Sequence, residues 1–231
     1  MLGIIGAMQV EIETIVEEME NKTEKTIGGI KFYQGLLWGK EVVAAVCGVG
    51  KVFAGICAQT MILNFDVDNI LNIGVGGSLT NNLNICDLGI ATAVVQHDMD
   101  TTPLGDPLGL ISGLDVVEIP CDEKQTELWK KAADSVKIKH FEGVIASGDC
   151  FVSTSSKKQY IRENFNGIVC EMEGGAIGQV CFLNKVPFNV IRAVSDNADG
   201  SADMDFPKFV KKAVAQSLVL LKEYMTLIQE G

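Results

Sequence analysis

Arginine is nearly missing from this chain: of its 19 basic residues, only Arg162 and Arg192 are arginine. Arginine is the usual bidentate clamp for phosphate and carboxylate, so a site for free phosphate or a nucleotide tail is poorly provided for. The lysines are scattered, no basic run occurs, and the formal net charge is −11. Nucleic-acid backbones and anionic membrane surfaces need clustered cations, so neither is expected as a partner. Histidine is also scarce. His97 and His140 lie far apart, which argues against a His-based metal site. No C-x-x-C pair occurs. Cys47, Cys57, Cys86, Cys121, Cys150, Cys170 and Cys181 are odd in number and mostly embedded in apolar runs, as expected of reduced, buried thiols in a cytoplasmic protein rather than a disulfide framework. No apolar run approaches the roughly 20 residues a membrane helix needs. The first eight residues lack a charged leader and turn acidic by Glu11, too short a stretch for a signal peptide.

What is present is an ordinary apolar fraction, 47% hydrophobic against 21% charged residues, in 231 residues. That length predicts one domain, 1–231, burying about 70–75% of its extended surface without a disulfide or metal staple. Apolar runs at 2–7, 42–47, 69–73, 90–96, 141–147, 167–170 and 187–194 read as strands, with 30–37 pairing to 42–47 as a hairpin. Helical spacing marks 9–19, 51–64, 123–136, 157–164, 173–183 and 206–228. Residues 74–78 read as a glycine loop. Residues 101–113 read as a long ordered loop whose apolar side chains suit a functional role or a partner chain. Strands alternating with helices, several strands being continuously apolar, indicate an α/β three-layer sandwich with a central mixed, largely buried sheet.

Two segments stand out. Cys170-Glu171-Met172-Glu173-Gly174-Gly175 places two acids at the end of a strand, as a helix begins. Asn189–Asp196 is an apolar run ending in Ser195 and Asp196, with Arg192 inside it. Buried strands that stop in polar groups are where an open α/β sheet puts its ligand. Several of these residues fit two roles. Glu11 suits a helix-start acid offsetting the dipole or a general base at the mouth of the first strand. Asp196 suits a turn cap or a general acid raised by an apolar site. Phe151 suits the core or a stacking face for a base. Gly48-Val49-Gly50-Lys51 suits a tight turn or an anion-facing helix start, but it is neither a P-loop nor a dinucleotide fingerprint.

As an ordered set, Gly6-Ala7-Met8-x-x-Glu11, Gly48-Val49-Gly50-Lys51, Ser147-Gly148-Asp149-x-Phe151, Glu171-Met172-Glu173 and Arg192-Ala193-Val194-Ser195-Asp196 resemble the 5′-methylthioadenosine/S-adenosylhomocysteine nucleosidases of the nucleoside phosphorylase superfamily. The resemblance spans essentially the whole chain. It implies hydrolysis of the N-glycosidic bond of adenosine thionucleosides without metal or cofactor. Asp196 would protonate N7 of the adenine and Glu11 would activate water. Glu173 would hold the ribose hydroxyls, with Met172 packed on the sugar. Phe151 would stack on adenine and the backbone of Val152 would read its edge. Met8, Val49 and Phe206 would line the sugar and 5′-thio region, and Ser195 and Arg192 would position Asp196 and the water. It also implies a homodimer in which segment 97–113, with Thr101 and Leu104, completes the neighbouring site. One departure is Ile73-Gly74-Val75-Gly76-Gly77-Ser78, where the family usually has Thr-Gly-Ser-Ala-Gly-Gly: apolar Val75 replaces a hydroxyl near ribose and water. The scarcity of arginine favours water over phosphate as nucleophile. The competing readings are a related purine nucleosidase or phosphorylase with another nucleoside, and a nucleoside-binding protein without turnover.

Overall fold

The computed structural model describes residues 1–230, including every side chain but those of Met204, Gln229 and Glu230. The elements run β1 (Leu2–Gly6), α1 (Gln9–Glu18), β2 (Glu20–Ile27), β3 (Ile30–Leu37), β4 (Lys40–Val46), α2 (Lys51–Phe65), β5 (Asn69–Ser78), β6 (Leu88–Gln96), β7 (Ile119–Pro120), α3 (Glu123–Ser135), β8 (His140–Ser147), α4 (Ser155–Phe165), β9 (Gly167–Glu171), α5 (Gly174–Asn184), β10 (Phe188–Asp196) and α6 (Ala202–Glu230). One turn of 3-10 helix, Thr102–Leu104, interrupts the loop after β6.

The strands form one mixed sheet in the order β10-β6-β8-β9-β5-β1-β4-β3-β2, with β7 on β6. Because β10 also pairs with β5, and β9 with β5, five strands close into a ring and the rest extend it as an open sheet. Closure requires bent strands. Thr92 in β6, Ile168 in β9 and Ser195 in β10 are each skipped in the pairing register, and such bulges bend a strand and increase its twist. Ile12 and Ile15 of α1, Trp129 of α3 and Leu220, Leu221 and Tyr224 of α6 build a core on one face. Ala54, Cys57 and Met61 of α2 with Ile177 and Cys181 of α5 build a second core on the other. The expected helix–sheet–helix layering is therefore observed.

Three local expectations are corrected. Residues 74–78 are not a loop but the buried end of β5; they pair with β10 and β9, and the glycines leave room for Glu11, Val169 and Asp196 against the backbone. Residues 20–27, given no element from sequence, form the edge strand β2, exposed at every position but the last. Its polar, charged sequence carries no alternation, as is usual for an edge that must resist further pairing. The terminal helix begins at Ala202 rather than 206, bringing Asp203 and Asp205 into its first turn.

Helices α2 and α5 pack side by side and leave an apolar face uncovered in this chain: Val52, Phe53, Ile56 and Leu63 from one, Phe182 and Leu183 from the other. A helix apolar on all sides is normally covered on all sides. Among the described residues no helix is long and apolar enough to cross a membrane.

Candidate active site

The chain leaves β1 through Ala7 and Met8, and Glu11 is the third residue of α1. Its side chain turns back. Oε2 accepts the N–H groups of Ala7 (2.7 Å) and Met8 (2.9 Å), and Oε1 accepts that of Val75 on β5 (3.0 Å). Gly74 makes this approach possible, since a Cβ there would stand 2.5 Å from Glu11 Oε1. Glu11 is thus a helix-start acid and a cavity carboxylate at once. Burial pushes its carboxyl above the usual glutamate range, against the opposing pull of Arg192 and the three N–H donors.

Asp196 ends β10. Successive residues on a regular strand point to opposite faces, yet Ser195 and Asp196 both face the same cavity. The register shift between Val194 and Asp196 makes this possible by re-aiming the side chains. Asp196 Oδ1 accepts the N–H of Ala198 (2.8 Å) and Oδ2 accepts the hydroxyl of Ser195 (2.8 Å). Burial raises its carboxyl above the usual range, and these two hydrogen bonds only partly offset it.

The two acids between β9 and α5 divide. Glu171 is held on all sides: Oε1 accepts from the Ser147 hydroxyl, and Oε2 accepts from Arg192 and from the N–H groups of Glu173 (3.0 Å) and Gly174 (2.7 Å). It anchors the start of α5. Glu173 is bound more loosely, with Oε1 accepting the N–H of Gly50 (2.9 Å) and Oε2 lying 3.7 Å from Arg192 Nη2. Burial and the adjacent Glu171 raise the Glu173 carboxyl, and Arg192 opposes them.

Arg192 does not line the cavity. It is buried beneath it, donating to Asn72, to the Ile191 carbonyl and to Glu171. The structure therefore assigns it to fixing the two glutamates, not to direct contact with Asp196. Removing one partner of a buried ion pair typically costs about 3–5 kcal/mol. Arg192→Met is accordingly expected to lower unfolding stability by roughly that amount near neutral pH. The loss should shrink in acid, where protonation relieves Glu173. Denaturant melts at two pH values check this; equal losses at both would contradict it.

Met8, Glu11, Val49, Val75, Phe151, Val152, Glu171, Met172, Glu173, Ser195, Asp196 and Phe206 line one cavity of about 430 Å³. They come from the ends of β1, β5, β9 and β10, the turn after β4, the loop after β8 and the first turns of α6. Phe151 stands at the cavity wall with its ring edge-on to Phe206, centroids 5.8 Å apart. No arginine, lysine or histidine is among the lining residues. Thr101 and Leu104 do not line this chain's cavity, and Leu104 is 83% exposed. The sequence reading gave no role to Ala7, Gly76, Gly77, Cys150, Cys170 and Asp203, which also line it. Asp203 was within reach of sequence reading, had the terminal helix been started at its first acidic turn. Ser147, which holds Glu171 and accepts the N–H of Gly175 (2.6 Å), was named only within the Ser147-Gly148-Asp149-x-Phe151 motif, without a role.

Strand ends around one carboxylate-lined cavity define the ligand site of an α/β protein, and comparison with known proteins gives its class. The model of the phosphorylase superfamily matches residues 1–226. The 5′-methylthioadenosine/S-adenosylhomocysteine nucleosidase of Shewanella pealeana is 39% identical, over 95% of this chain and 96% of its own. That of Staphylococcus carnosus is 38% identical over 97% and 99%. The solved structure of the Neisseria meningitidis nucleosidase in complex with methylthio-immucillin-A superposes with a TM-score of 0.94 at 37% identity, covering 97% of both chains. A futalosine hydrolase structure from Helicobacter pylori superposes with a TM-score of 0.93 at 38% identity, again over 97% of both. The chain belongs to the phosphorylase superfamily and, within it, to the 5′-methylthioadenosine/S-adenosylhomocysteine nucleosidase family.

Proposed function

We propose that this protein hydrolyses the N-glycosidic bond of 5′-methylthioadenosine and S-adenosylhomocysteine, releasing adenine and a 5-thioribose. The observation that carries this reading is one cavity lined by Glu11, Glu173 and Asp196 and by no cationic side chain. Glycosidic cleavage leaves positive charge on the sugar and negative charge on the departing base. Carboxylates beside the sugar and a protonated acid beside the base oppose both.

In this reading Asp196, whose carboxyl burial raises above its ordinary range, gives its proton to N7 of adenine as the C1′–N9 bond breaks and its electron pair enters the base. Water adds to C1′ and gives a proton to Glu11. Glu173 holds the ribose hydroxyls against Met172. Phe151 stacks on the adenine, whose edge meets the Val152 backbone. Met8, Val49 and Phe206 enclose the sugar and 5′-thio group beside Val75. A phosphate dianion would meet carboxylates and no partner here, because Arg192 is already engaged by Glu171, Glu173 and Asn72; this supports water as nucleophile.

The test is release of free adenine from methylthioadenosine in phosphate-free buffer. Adenine appearing only on adding phosphate, or not at all, would overturn the hydrolase. The likeness to a futalosine hydrolase makes futalosine a second substrate to test in the same assay.

The assembly in this reading is a homodimer. The uncovered apolar face of α2 and α5 supports it, with Thr101 and Leu104 of segment 97–113 entering the partner's pocket. Cross-linking and sedimentation test it. The seven free cysteines suit a reducing compartment, and the cytoplasm is the location we assign.

A bell-shaped pH dependence of kcat/KM is expected, with Glu11 required unprotonated and Asp196 protonated. The Ser195 hydroxyl stabilises the charged form of Asp196. Ser195→Ala is therefore expected to move the alkaline limb to higher pH. A limb that stays or falls would remove Asp196 as its origin.

A further inference from the structure

Lys51 ends the Gly48-Val49-Gly50-Lys51 turn and has no place on the cavity wall. Its contacts nevertheless join the two sides of the site. Its backbone N–H donates to Asp149 Oδ1 (2.8 Å). The N–H of Asp149 donates to Asp98 Oδ2 (2.9 Å), and the Lys51 ammonium donates to Asp98 Oδ1 (2.6 Å) and to Gln96 (3.1 Å). The three residues close a ring between the start of α2, the end of β6 and the loop after β8.

Each side of this ring continues directly into the site. One residue before Lys51, the N–H of Gly50 holds Glu173. Two residues after Asp149, Phe151 forms the stacking wall. Gly50 has φ 104°, a conformation that favours glycine, and a Cβ there would stand 3.0 Å from Asp149 Oδ1. The turn is therefore shaped to receive that carboxylate. Ammonium and carboxylate are both largely covered, with 18% and 27% of their side chains exposed, so the pair is less screened than an open surface pair.

We propose that Lys51, through Asp98 and Asp149, is a positioning residue that sets the distance between the base-stacking loop and the sugar-holding glutamate. This rests on the hydrolase reading above. A group that positions the base in ground state and transition state alike changes KM and leaves kcat alone.

The experiment compares Lys51→Met, Asp98→Asn and the double variant with the parent enzyme, using methylthioadenosine turnover and amide hydrogen exchange of residues 148–154. Expected are a rise in KM of about tenfold, kcat within about twofold, unchanged pH limbs and faster exchange in that loop. Because the ring acts as one unit, the double variant should match the single ones. A KM within about twofold of the parent, a double variant equal to the product of the singles, or a loss confined to kcat would overturn the proposal. If the parent cleaves no nucleoside, the hydrolase reading fails instead. The exchange comparison then decides alone: unchanged exchange on losing the ammonium overturns the ring, and faster exchange upholds it.

Discussion

Asp196→Asn is expected to lower kcat/KM by about 10²–10⁴-fold, the usual contribution of one positioned proton donor, while the folded protein loses no stability near neutral pH. The amide keeps the shape of the carboxyl. Its oxygen still accepts the Ala198 N–H and its NH₂ group can donate to the Ser195 hydroxyl, so neither contact is stranded. The stability half follows from the sign of the pKa shift. Burial raises the Asp196 carboxyl, so the folded state holds its proton more tightly than the unfolded chain does. The stabilisation from that proton is complete below the unfolded value of about 3.9 and is lost as pH rises through the folded value. Above the unfolded value the raised carboxyl therefore weakens the fold, and a neutral isostere removes that penalty. Initial rates and melting curves of parent and variant check both halves. Activity near that of the parent would strip Asp196 of its role as acid.

Glu11→Gln is expected to fall by a similar factor in kcat/KM, about 10²–10⁴-fold, but this variant should also be less stable. All three of the recorded partners of Glu11 are backbone N–H donors, two on one oxygen and one on the other. An amide has only one oxygen, so its NH₂ must face at least one donor and leave it buried without an acceptor. Burial raises the Glu11 carboxyl as well, so the neutral amide relieves that penalty in part, but an orphaned buried donor costs about 1–3 kcal/mol and sets the net sign. The pair of variants is thus distinguishable by melting alone. Glu11→Gln should melt lower than the parent and Asp196→Asn should not. Equal melting of Glu11→Gln and the parent would mean that its three-donor cradle is absent in solution, and near-normal turnover would remove it as the base.

Most of the strand and helix pattern was legible because it follows from local apolar periodicity, as in β1, β4, α3 and β10. The acids that matter were also legible, since each ends an apolar strand or begins a helix. Failure came where local pattern carries no signal. Edge strand β2 is polar along nearly its whole length and exists because β3 offers it hydrogen-bonding partners. The glycines of residues 74–77 read as loop because glycine usually marks turns; they belong to β5 because Glu11 and the neighbouring strands must approach its backbone closely. Arg192 looked like a site residue because it sits in the same motif as Asp196. Residues 192 and 196 would share a face of a regular strand; the register shift at Ser195 turns Asp196 into the cavity and leaves the arginine beneath it.

The sequence by itself determined the α/β class, the family likeness and the chemical inventory of the site: isolated carboxylates, an aromatic wall and too little arginine for phosphate. These are properties of composition, order and short-range spacing, which one chain carries openly. Tertiary structure alone decided how the inventory is used. The bulge at Ser195 turns two consecutive side chains into one cavity, the ring of five strands brings β9 against β5, and Ser147 with Arg192 separates the two acids of one motif into a tightly anchored Glu171 and a more loosely held Glu173. Each depends on contacts between residues far apart in the chain, and no local periodicity encodes them.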